Sequence, residues 1–343
     1  MTVARADPTL HALLAMARAQ GASDLHLRCG APPWLRVHGV LAPTTAAALD
    51  AEQMHRLLQA MRPDGAHSDW RNEQDFAFHL PPLGRYRVNV FLQASGPAAV
   101  LRCIAEAAPT LAQLQVPTAL PSLLEGSGLV LVTGPTGSGK STTLAAMVQH
   151  LNTHSAQHIL TLEDPIEFEH RSAHCLITQR EIGAHSQGFA SALRAALRED
   201  PDVLLVGELR DLETIRLALT AAETGHLVLA SLHTRHAAAT IERIVDVFEA
   251  SEKALVRAQL ADALRGVLSQ TLVPHPHAPG RQAVFELLVG TPAVRNLIRE
   301  GKTAQLASVM QTGAAQGMVT MAQALQRLQA VDLATAPARG PPL

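Results

Sequence analysis

The clearest chemical signal in this sequence is a run of nine residues, 134–142, with the order Gly-Pro-Thr-Gly-Ser-Gly-Lys-Ser-Thr. The run is a complete G-x-x-x-x-G-K-[ST] pattern, which predicts a loop that holds the phosphates of a nucleoside triphosphate. Its glycines let backbone N–H groups point at phosphate oxygens. We expect Lys140 to contact the β- and γ-phosphates and Ser141 to bind Mg²⁺. The predicted nucleotide-binding residues are Gly134, Pro135, Thr136, Gly137, Ser138, Gly139, Lys140, Ser141 and Thr142.

Hydrolysis of a bound triphosphate also needs an oriented water molecule, and two carboxylates are placed to supply the chemistry. Residues 202–208, Asp-Val-Leu-Leu-Val-Gly-Glu, form an apolar strand followed by Glu208, as in a Walker B element. Because strand ends face the nucleotide crevice in such sheets, we expect Glu208 to meet Mg²⁺ directly or through water. Glu163 ends another apolar strand, and we expect it to polarise the attacking water. For Asp164 and Glu167, a role in the site and a role as turn or surface residues stay equally open.

The elements that must position these residues form an alternating pattern after residue 120. A buried strand, residues 128–133, precedes the glycine loop, and good helix formers follow from Leu144 onward. Further apolar strands are predicted at 158–162, 203–206 and 227–232, with helical segments between them. This pattern predicts an α/β, doubly wound nucleotide-binding domain. From Glu252 onward the sequence predicts mostly helix.

The first 105 residues have a different pattern, with runs of strands and segregated helices, which predicts a small α+β domain. Two helices are expected, one after Asp7 and one after Asp50. The five predicted strands span residues 24–28, 34–38, 75–80, 85–93 and 99–104. We therefore predict an N-terminal domain at 1–105, a linker at 106–117, a nucleotide-binding domain at 118–333 and a disordered tail at 334–343.

The composition excludes several classes of protein. The chain has 343 residues, 47% of them hydrophobic, so two domains with sizeable cores are expected. A net charge of −2 gives no electrostatic case for binding nucleic acid or an anionic membrane. Three scattered cysteines argue against a disulfide framework. No apolar run approaches a membrane-spanning length, and we see no signal peptide, so we expect a cytoplasmic protein.

Residues 201–234 contain, in order, the strand with Glu208, the segment Glu-Leu-Arg-Asp, and two histidines that flank the strand 227–232. This segment resembles the secretion ATPase superfamily, in which Walker A, Asp box, Walker B and His box follow one another in this order. The similarity is greatest to its PilT branch, the type IV pilus retraction ATPases, and covers nearly the whole chain. The segments 23–27 and 85–89 and the C-terminal run 293–300, Ala-Val-Arg-Asn-Leu-Ile-Arg-Glu, carry it further. The resemblance implies a RecA-like P-loop ATPase domain and a PAS-like N-terminal domain.

The resemblance also assigns roles to individual residues. It makes Glu163 the water-activating glutamate of the Asp box and Glu208 the Walker B acid. His226 and His233 become the His-box residues, and because they lie at opposite ends of one predicted strand, at most one of them can sense the γ-phosphate. The other holds neighbouring loops or a subunit interface.

Arginines that neutralise the transition state are also expected, because no arginine flanks Lys140 in the sequence. The resemblance points to Arg85 and Arg102 in the N-terminal domain. Arg87 shares a strand face with Arg85, and a purely surface role is as plausible for it. Since these arginines lie on a separate domain, domain movement can follow the state of the nucleotide.

The leading hypothesis is a hexameric motor ATPase that uses ATP and Mg²⁺ to power pilus retraction and twitching motility. The resemblance implies as partners five further copies of the chain, an inner-membrane platform protein of the pilus and a paralogous retraction ATPase, and it implies a peripheral location at the inner membrane. The chain lacks the four-cysteine zinc module of assembly-type relatives, and His275 and His277 are too few for a zinc site. The alternatives are an accessory retraction ATPase, a type II secretion-type ATPase, an ATP-binding scaffold with little turnover and, more weakly, a nucleic-acid motor.

Overall fold

The structure is a computed structural model that describes residues 7–37, 39–62, 73–104, 107–275 and 280–335, with side chains of the last helix up to residue 330. The chain forms two compact units, Met1–Glu106 and Ala107–Leu343. His277 and residues 336–343 of the predicted tail lie outside the described residues, whereas residues 334 and 335 belong to the last helix.

The first unit is a six-stranded antiparallel sheet with two helices. Its elements are α1 (Pro8–Ala19), β1 (Ala22–Arg28), β2 (Trp34–Val37), β3 (Val40–Pro43), α2 (Ala51–Met61), β4 (Gln74–Leu80), β5 (Gly84–Gln93) and β6 (Gly96–Ile104). The strand order is β3-β2-β1-β6-β5-β4. Alternate residues of β5, Tyr86, Val88 and Val90, share one apolar core with the buried faces of α1 and α2. The residues between them point to the opposite face of the sheet.

Both helices of this unit begin where the sequence predicts. The Asp7 side chain accepts a hydrogen bond from the Leu10 N–H at 2.9 Å, and Asp50 forms a capping box with Gln53. Strand β3 was not expected. All four of its residues are exposed, so it lacks the alternation of buried and exposed side chains that marks a half-buried strand.

The second unit contains a seven-stranded sheet with helices on both faces. Its elements are α3 (Leu120–Leu123), β7 (Gly128–Thr133), α4 (Lys140–His154), β8 (His158–Glu163), β9 (Leu176–Glu181), α5 (Phe189–Ala196), β10 (Val203–Val206), α6 (Leu212–Glu223), β11 (Leu227–Leu232), α7 (Ala237–Asp246), α8 (Lys253–Ala263), β12 (Leu264–Pro274), β13 (Arg281–Val289), α9 (Pro292–Arg299), α10 (Leu306–Thr312) and α11 (Met321–Thr335). Two 3-10 helices, Thr303–Gln305 and Gly313–Gln316, flank α10.

The strand order of this sheet is β13-β12-β7-β11-β10-β8-β9, and every neighbouring pair except β12 with β13 is parallel. Leu129 and Leu131 of β7 face one apolar core, whereas Val130 and Val132 face a second core on the other side of the sheet. Because helices cover both faces, the central strands β7, β10 and β11 are nearly continuous apolar runs. The predicted doubly wound α/β fold is therefore confirmed.

The expectation of mostly helix after Glu252 is wrong at β12 and β13. Only α8 follows the predicted pattern before the chain passes into a hairpin of two long strands. Most of the segment 264–273 is buried without alternation, and Arg265 and Gln270 stand among its apolar residues, so periodicity does not identify it as a strand. The turn residues after Val273, with Pro274 and Gly280, were the available sign of a hairpin.

Candidate active site

The glycine loop joins the end of β7 to the start of α4, as the motif predicts. Gly134 has a φ of 148°, and a Cβ atom there would lie 2.3 Å from the Gln270 carbonyl oxygen of β12. Gly139 caps α4 with a φ of 90°, in the left-handed region. The Ser138 Oγ and Gln270 Oε1 atoms are buried and have no hydrogen-bond partner. The loop therefore approaches β12 closely, with the Ser138 hydroxyl buried between them.

Lys140 is held inside the curve of its own loop. Its ammonium donates to the Gly134 carbonyl at 2.9 Å and to the Pro135 carbonyl at 3.2 Å. A third contact joins Lys140 Nζ to His233 Nδ1 at 3.3 Å. Burial lowers the pKa of Lys140, and the negative charges of Glu208 and Glu167 oppose that shift. Phosphate oxygens would replace the two carbonyls as stronger, charged acceptors.

His233 connects Lys140 to Glu208. The ring's other nitrogen, Nε2, lies 2.9 Å from Glu208 Oε1. An ammonium group can only donate hydrogen bonds, so Nδ1 must accept from Lys140 and Nε2–H must donate to Glu208. The geometry thus selects the neutral Nε2–H tautomer of His233 and joins the glycine loop to the Walker B acid.

Glu208 also forms an ion pair with Arg210, a residue that the sequence analysis did not select. Arg210 Nη2 lies 2.8 Å from Glu208 Oε2, and its Nη1 lies 3.8 Å from Asp164 Oδ2. Burial by itself would raise the pKa of Glu208, but the hydrogen bonds from Arg210 and His233 and the charge of Arg210 outweigh it and lower this pKa. The arginine two positions after the Walker B acid was visible in the sequence as a possible partner of Glu208.

Glu163 ends β8, beside the end of β10 that leads to Glu208. The Gly207 N–H donates to the Leu162 carbonyl at 2.8 Å, which continues the β8–β10 ladder to the carboxyl edge of the sheet. Thr161 Oγ1 donates to Glu163 Oε1 at 2.8 Å. Burial raises the pKa of Glu163, although hydrogen bonds from Thr161 and Gln179 lower it in part. A half-buried carboxylate with a raised pKa has the properties of a general base.

The sequence left Asp164 and Glu167 undecided. Asp164 shares Arg210 with Glu208, and the charge of Glu167 acts on both Lys140 and Glu163. The structure therefore brings both acids near the predicted site without giving either a chemical role.

His226 lies at the amino end of β11, whereas His233 follows its carboxyl end. Its Nδ1 contacts the Ala221 carbonyl at 3.0 Å and the Thr224 hydroxyl at 3.4 Å. These contacts hold the turn between α6 and β11. Of the two predicted His-box residues, only His233 reaches the glycine loop.

The two predicted arginines, Arg85 and Arg102, and the undecided Arg87 belong to the first unit. Arg85 and Arg87 lie on β5 and Arg102 on β6, all on the sheet face opposite the α1 and α2 core. Arg102 Nε lies 3.0 Å from Asp24 Oδ1, and Arg87 Nε lies 3.8 Å from Asp75 Oδ1. A role for Arg85 or Arg102 in catalysis stays a prediction.

The donor set of the loop fits Mg²⁺. Ser141, the second residue of α4, carries a hydroxyl, and the Glu208 side chain keeps 18% of its surface exposed. Mg²⁺ prefers oxygen ligands and is often held by one or two protein groups together with phosphates and water. Within the described ranges, no group of three or more His, Cys, Asp or Glu residues could hold a metal by itself.

Comparison with known proteins agrees with this arrangement. A family model for "Type II/IV secretion system protein" matches residues 4–333. The type IV pilus retraction ATPase PilT of Pseudomonas aeruginosa is 52% identical over 324 residues, which are 94% of this chain and 94% of that protein. The twitching motility protein of Neisseria gonorrhoeae is 52% identical over 299 residues, covering 86% of this chain and 80% of that protein.

A solved structure gives the same result. The crystal structure of the pilus retraction motor PilT with bound ADP matches with a TM-score of 0.86 and 43% identity, over 94% of this chain and 93% of that one. None of the described helices is long and apolar enough to cross a membrane. On the matched length and identity, the chain belongs to the type II/IV secretion system protein family.

Proposed function

We propose that this chain is an ATPase whose turnover drives retraction of a type IV pilus. The observation that carries the proposal is the connection from Lys140 through His233 to Glu208, with Glu163 beside it at the same edge of the sheet. The connection joins a phosphate-binding loop to the Walker B acid, and the second acid, Glu163, lies at the end of the neighbouring strand. More than half of the aligned residues are identical to those of a type IV pilus retraction ATPase, which supports the pilus as the structure that the motor moves.

The chain's own groups account for the hydrolytic step. The loop N–H groups and Lys140 bind the β- and γ-phosphates and offset their negative charge. Glu163 accepts a proton from water as the water oxygen bonds to the γ-phosphorus. The bond from that phosphorus to the β–γ bridging oxygen breaks, which releases ADP and inorganic phosphate. When phosphate oxygens take up the Lys140 ammonium, His233 Nδ1 loses the donor that fixes the Nε2–H tautomer, and the ring can then take a proton on Nδ1 and donate it in a hydrogen bond to the γ-phosphate.

Mg²⁺ is the metal that this site would take. Ser141 and Glu208 would hold it, and it would supply positive charge at the phosphate oxygens. The chain's part in that arrangement is to keep Glu208 ionised, which Arg210 and His233 do through their hydrogen bonds.

Conversion of ATP turnover into force needs more than one site. We expect a homohexamer in which Arg85 and Arg102 supply positive charge for the transition state, and a platform protein of the inner membrane that receives the movement. A paralogous retraction ATPase would be a further partner. The near-neutral charge of −2 continues to argue against nucleic acid as the track of the motor.

A complementation experiment tests the proposal. The gene is expressed in a host that has pili but lacks its retraction ATPase, and twitching is measured together with ATP turnover of the purified protein. We expect wild type to restore twitching and Lys140→Ala to abolish both turnover and twitching. Turnover without rescue would favour an accessory or secretion-type ATPase, and ATP binding with negligible turnover would favour the scaffold. Unchanged turnover in Lys140→Ala would overturn the site itself.

A further inference from the structure

We propose that Gln179 is a positioning residue for Glu163, one that holds this carboxylate in place as the base of the hydrolytic step. The proposal rests on the proposed function, because it assigns a residue to the reaction described there. Gln179 lies on β9, the edge strand of the second sheet, and no sequence motif marked it. Its contacts divide between the carboxylate and the chain segment that follows Glu163.

The contact with Glu163 follows from strand register. In the parallel pair of β8 and β9, Thr161 is the register partner of Gln179, and Glu163 lies two residues further along the same face of β8. Gln179 Nε2 donates to Glu163 Oε1 at 3.1 Å, and Thr161 Oγ1 donates to the same oxygen at 2.8 Å. Two donors on one oxygen fix the rotation of the carboxyl group.

The orientation of the Gln179 amide is set by its other partners. The His170 N–H donates to Gln179 Oε1 at 2.8 Å, so this atom must be the oxygen. Nε2 then also donates to the Phe168 carbonyl at 2.9 Å. A flipped amide would place an N–H against the His170 N–H and an oxygen against both the Phe168 carbonyl and Glu163. Only one orientation is therefore compatible with the neighbours, and it presents a donor to Glu163.

These contacts make Gln179 a clamp between the base and its own loop. Residues 168–170 belong to the segment that connects β8 to β9, and one amide ties this segment to the end of β8. A hydrogen bond to the ionised carboxylate also favours the charged form that a base requires. Three carboxylates and one arginine lie on the elements around Glu163. The charge of Glu167 in the loop raises the pKa of Glu163 and so opposes the hydrogen bond from Gln179. Glu181 is the register partner of Glu163 on β9, and Glu208 and Arg210 follow β10.

The test is the pH dependence of ATP turnover in four variants of the full-length chain. Gln179→Leu removes the donor, and we expect a lower kcat, an unchanged KM for ATP and an acid limb displaced upward by about one pH unit. Gln179→Glu keeps the acceptor for the His170 N–H but places a second carboxylate beside Glu163, and its acid limb should move further in the same direction. Thr178→Val is the matched control. It removes a different β8–β9 contact, the 3.0 Å bond from Thr178 Oγ1 to His158 Nε2, on the opposite face of β9.

The fourth variant separates the two levels of the proposal. Glu163→Gln should lose turnover; wild-type turnover in it would remove Glu163 from the reaction and with it the proposed chemistry. If Glu163→Gln is inactive but both Gln179 variants keep the wild-type acid limb, only the role of Gln179 is overturned. An upward shift of the same size in Thr178→Val would equally overturn it, because edge-strand damage alone would then explain the result. If Gln179→Leu does not fold, the acid limbs of wild type and Gln179→Glu are compared. A limb at higher pH in Gln179→Glu supports the role of Gln179, and an unchanged limb overturns it.

Discussion

Lys140 and Glu208 are joined through a single imidazole ring, with His233 Nδ1 3.3 Å from the lysine and Nε2 2.9 Å from the glutamate. Lys140 belongs to the glycine loop, and Glu208 follows β10 and is the side chain proposed to hold Mg²⁺. One ring therefore contacts both halves of the site. A γ-phosphate that takes Lys140 away from His233 changes the hydrogen bonding of Glu208 in the same step.

This relationship predicts different effects for the two histidines of the His box. His233→Ala should lower kcat by about 10²-fold, the scale on which one positioned donor acts in a transition state. His226→Ala removes a contact with the α6–β11 turn and should leave kcat within about threefold while lowering the thermal midpoint. Steady-state ATPase assays and thermal melts of the two variants test this. The reverse pattern, with His226→Ala inactive and His233→Ala active, would contradict the assignment.

Arg210 predicts a change in the requirement for magnesium. The same guanidinium contacts that keep Glu208 ionised also occupy oxygens of Glu208 and Asp164, so Arg210 competes with a cation for these carboxylates. Arg210→Ala should lower the Mg²⁺ concentration for half-maximal turnover about fivefold, which corresponds to about 1 kcal/mol for a solvent-exposed ion pair. Arg180→Ala is the control, because Arg180 on β9 forms an ion pair with Glu199, which follows α5 and is not part of the proposed site. A higher Mg²⁺ requirement in Arg210→Ala would mean that the arginine orients Glu208 for the metal instead.

The raised pKa of Glu163 predicts how turnover depends on pH. Burial raises this pKa, and a base acts only when it is deprotonated, so turnover should be complete above the raised pKa and fall as the pH drops through it. The folded state binds this proton more readily than the unfolded state does, so protonation of Glu163 does not weaken folding. Turnover should therefore decline at mildly acidic pH while the far-UV circular dichroism stays native. Loss of ATP turnover and of the native circular dichroism at the same pH would contradict this prediction.

The glycine loop, the order of the acids and the doubly wound sheet were predictable because each depends on residues close together in sequence. The G-x-x-x-x-G-K-[ST] run specifies its own backbone, and the apolar strands before Glu163 and Glu208 place both acids at one edge. Strand β12 was not predictable from periodicity, because a strand buried on both faces has no alternation.

The contacts around Glu163 could not be predicted for a different reason. Gln179 and Glu163 are 16 residues apart, and they meet only because β9 pairs with β8 in one particular register. Arg210 is only two residues from Glu208, but whether the two form an ion pair depends on the direction of the Glu208 side chain, which the sequence does not indicate. Sequence patterns indicate which residues carry chemistry, while the residues that position them are set by pairing and packing.

A buried carboxylate away from the nucleotide loop predicts a change in stability without a change in the chemistry. Glu286 on β13 accepts from the Ala237 N–H at 2.9 Å and from the Met321 N–H at 3.1 Å, so it serves the first turns of both α7 and α11. It carries negative charge at two helix N-termini, where charge is favourable. Glu286→Gln leaves one of the two N–H groups facing an amide donor and should reduce the free energy of unfolding by about 1–3 kcal/mol. Amide hydrogen exchange should accelerate at Ala237 and Met321.

Glu223→Gln, at an exposed contact with Gln259, is the control and should leave both amides and the unfolding free energy unchanged. Equal effects of the two substitutions would show that Glu286 does not hold the two helices.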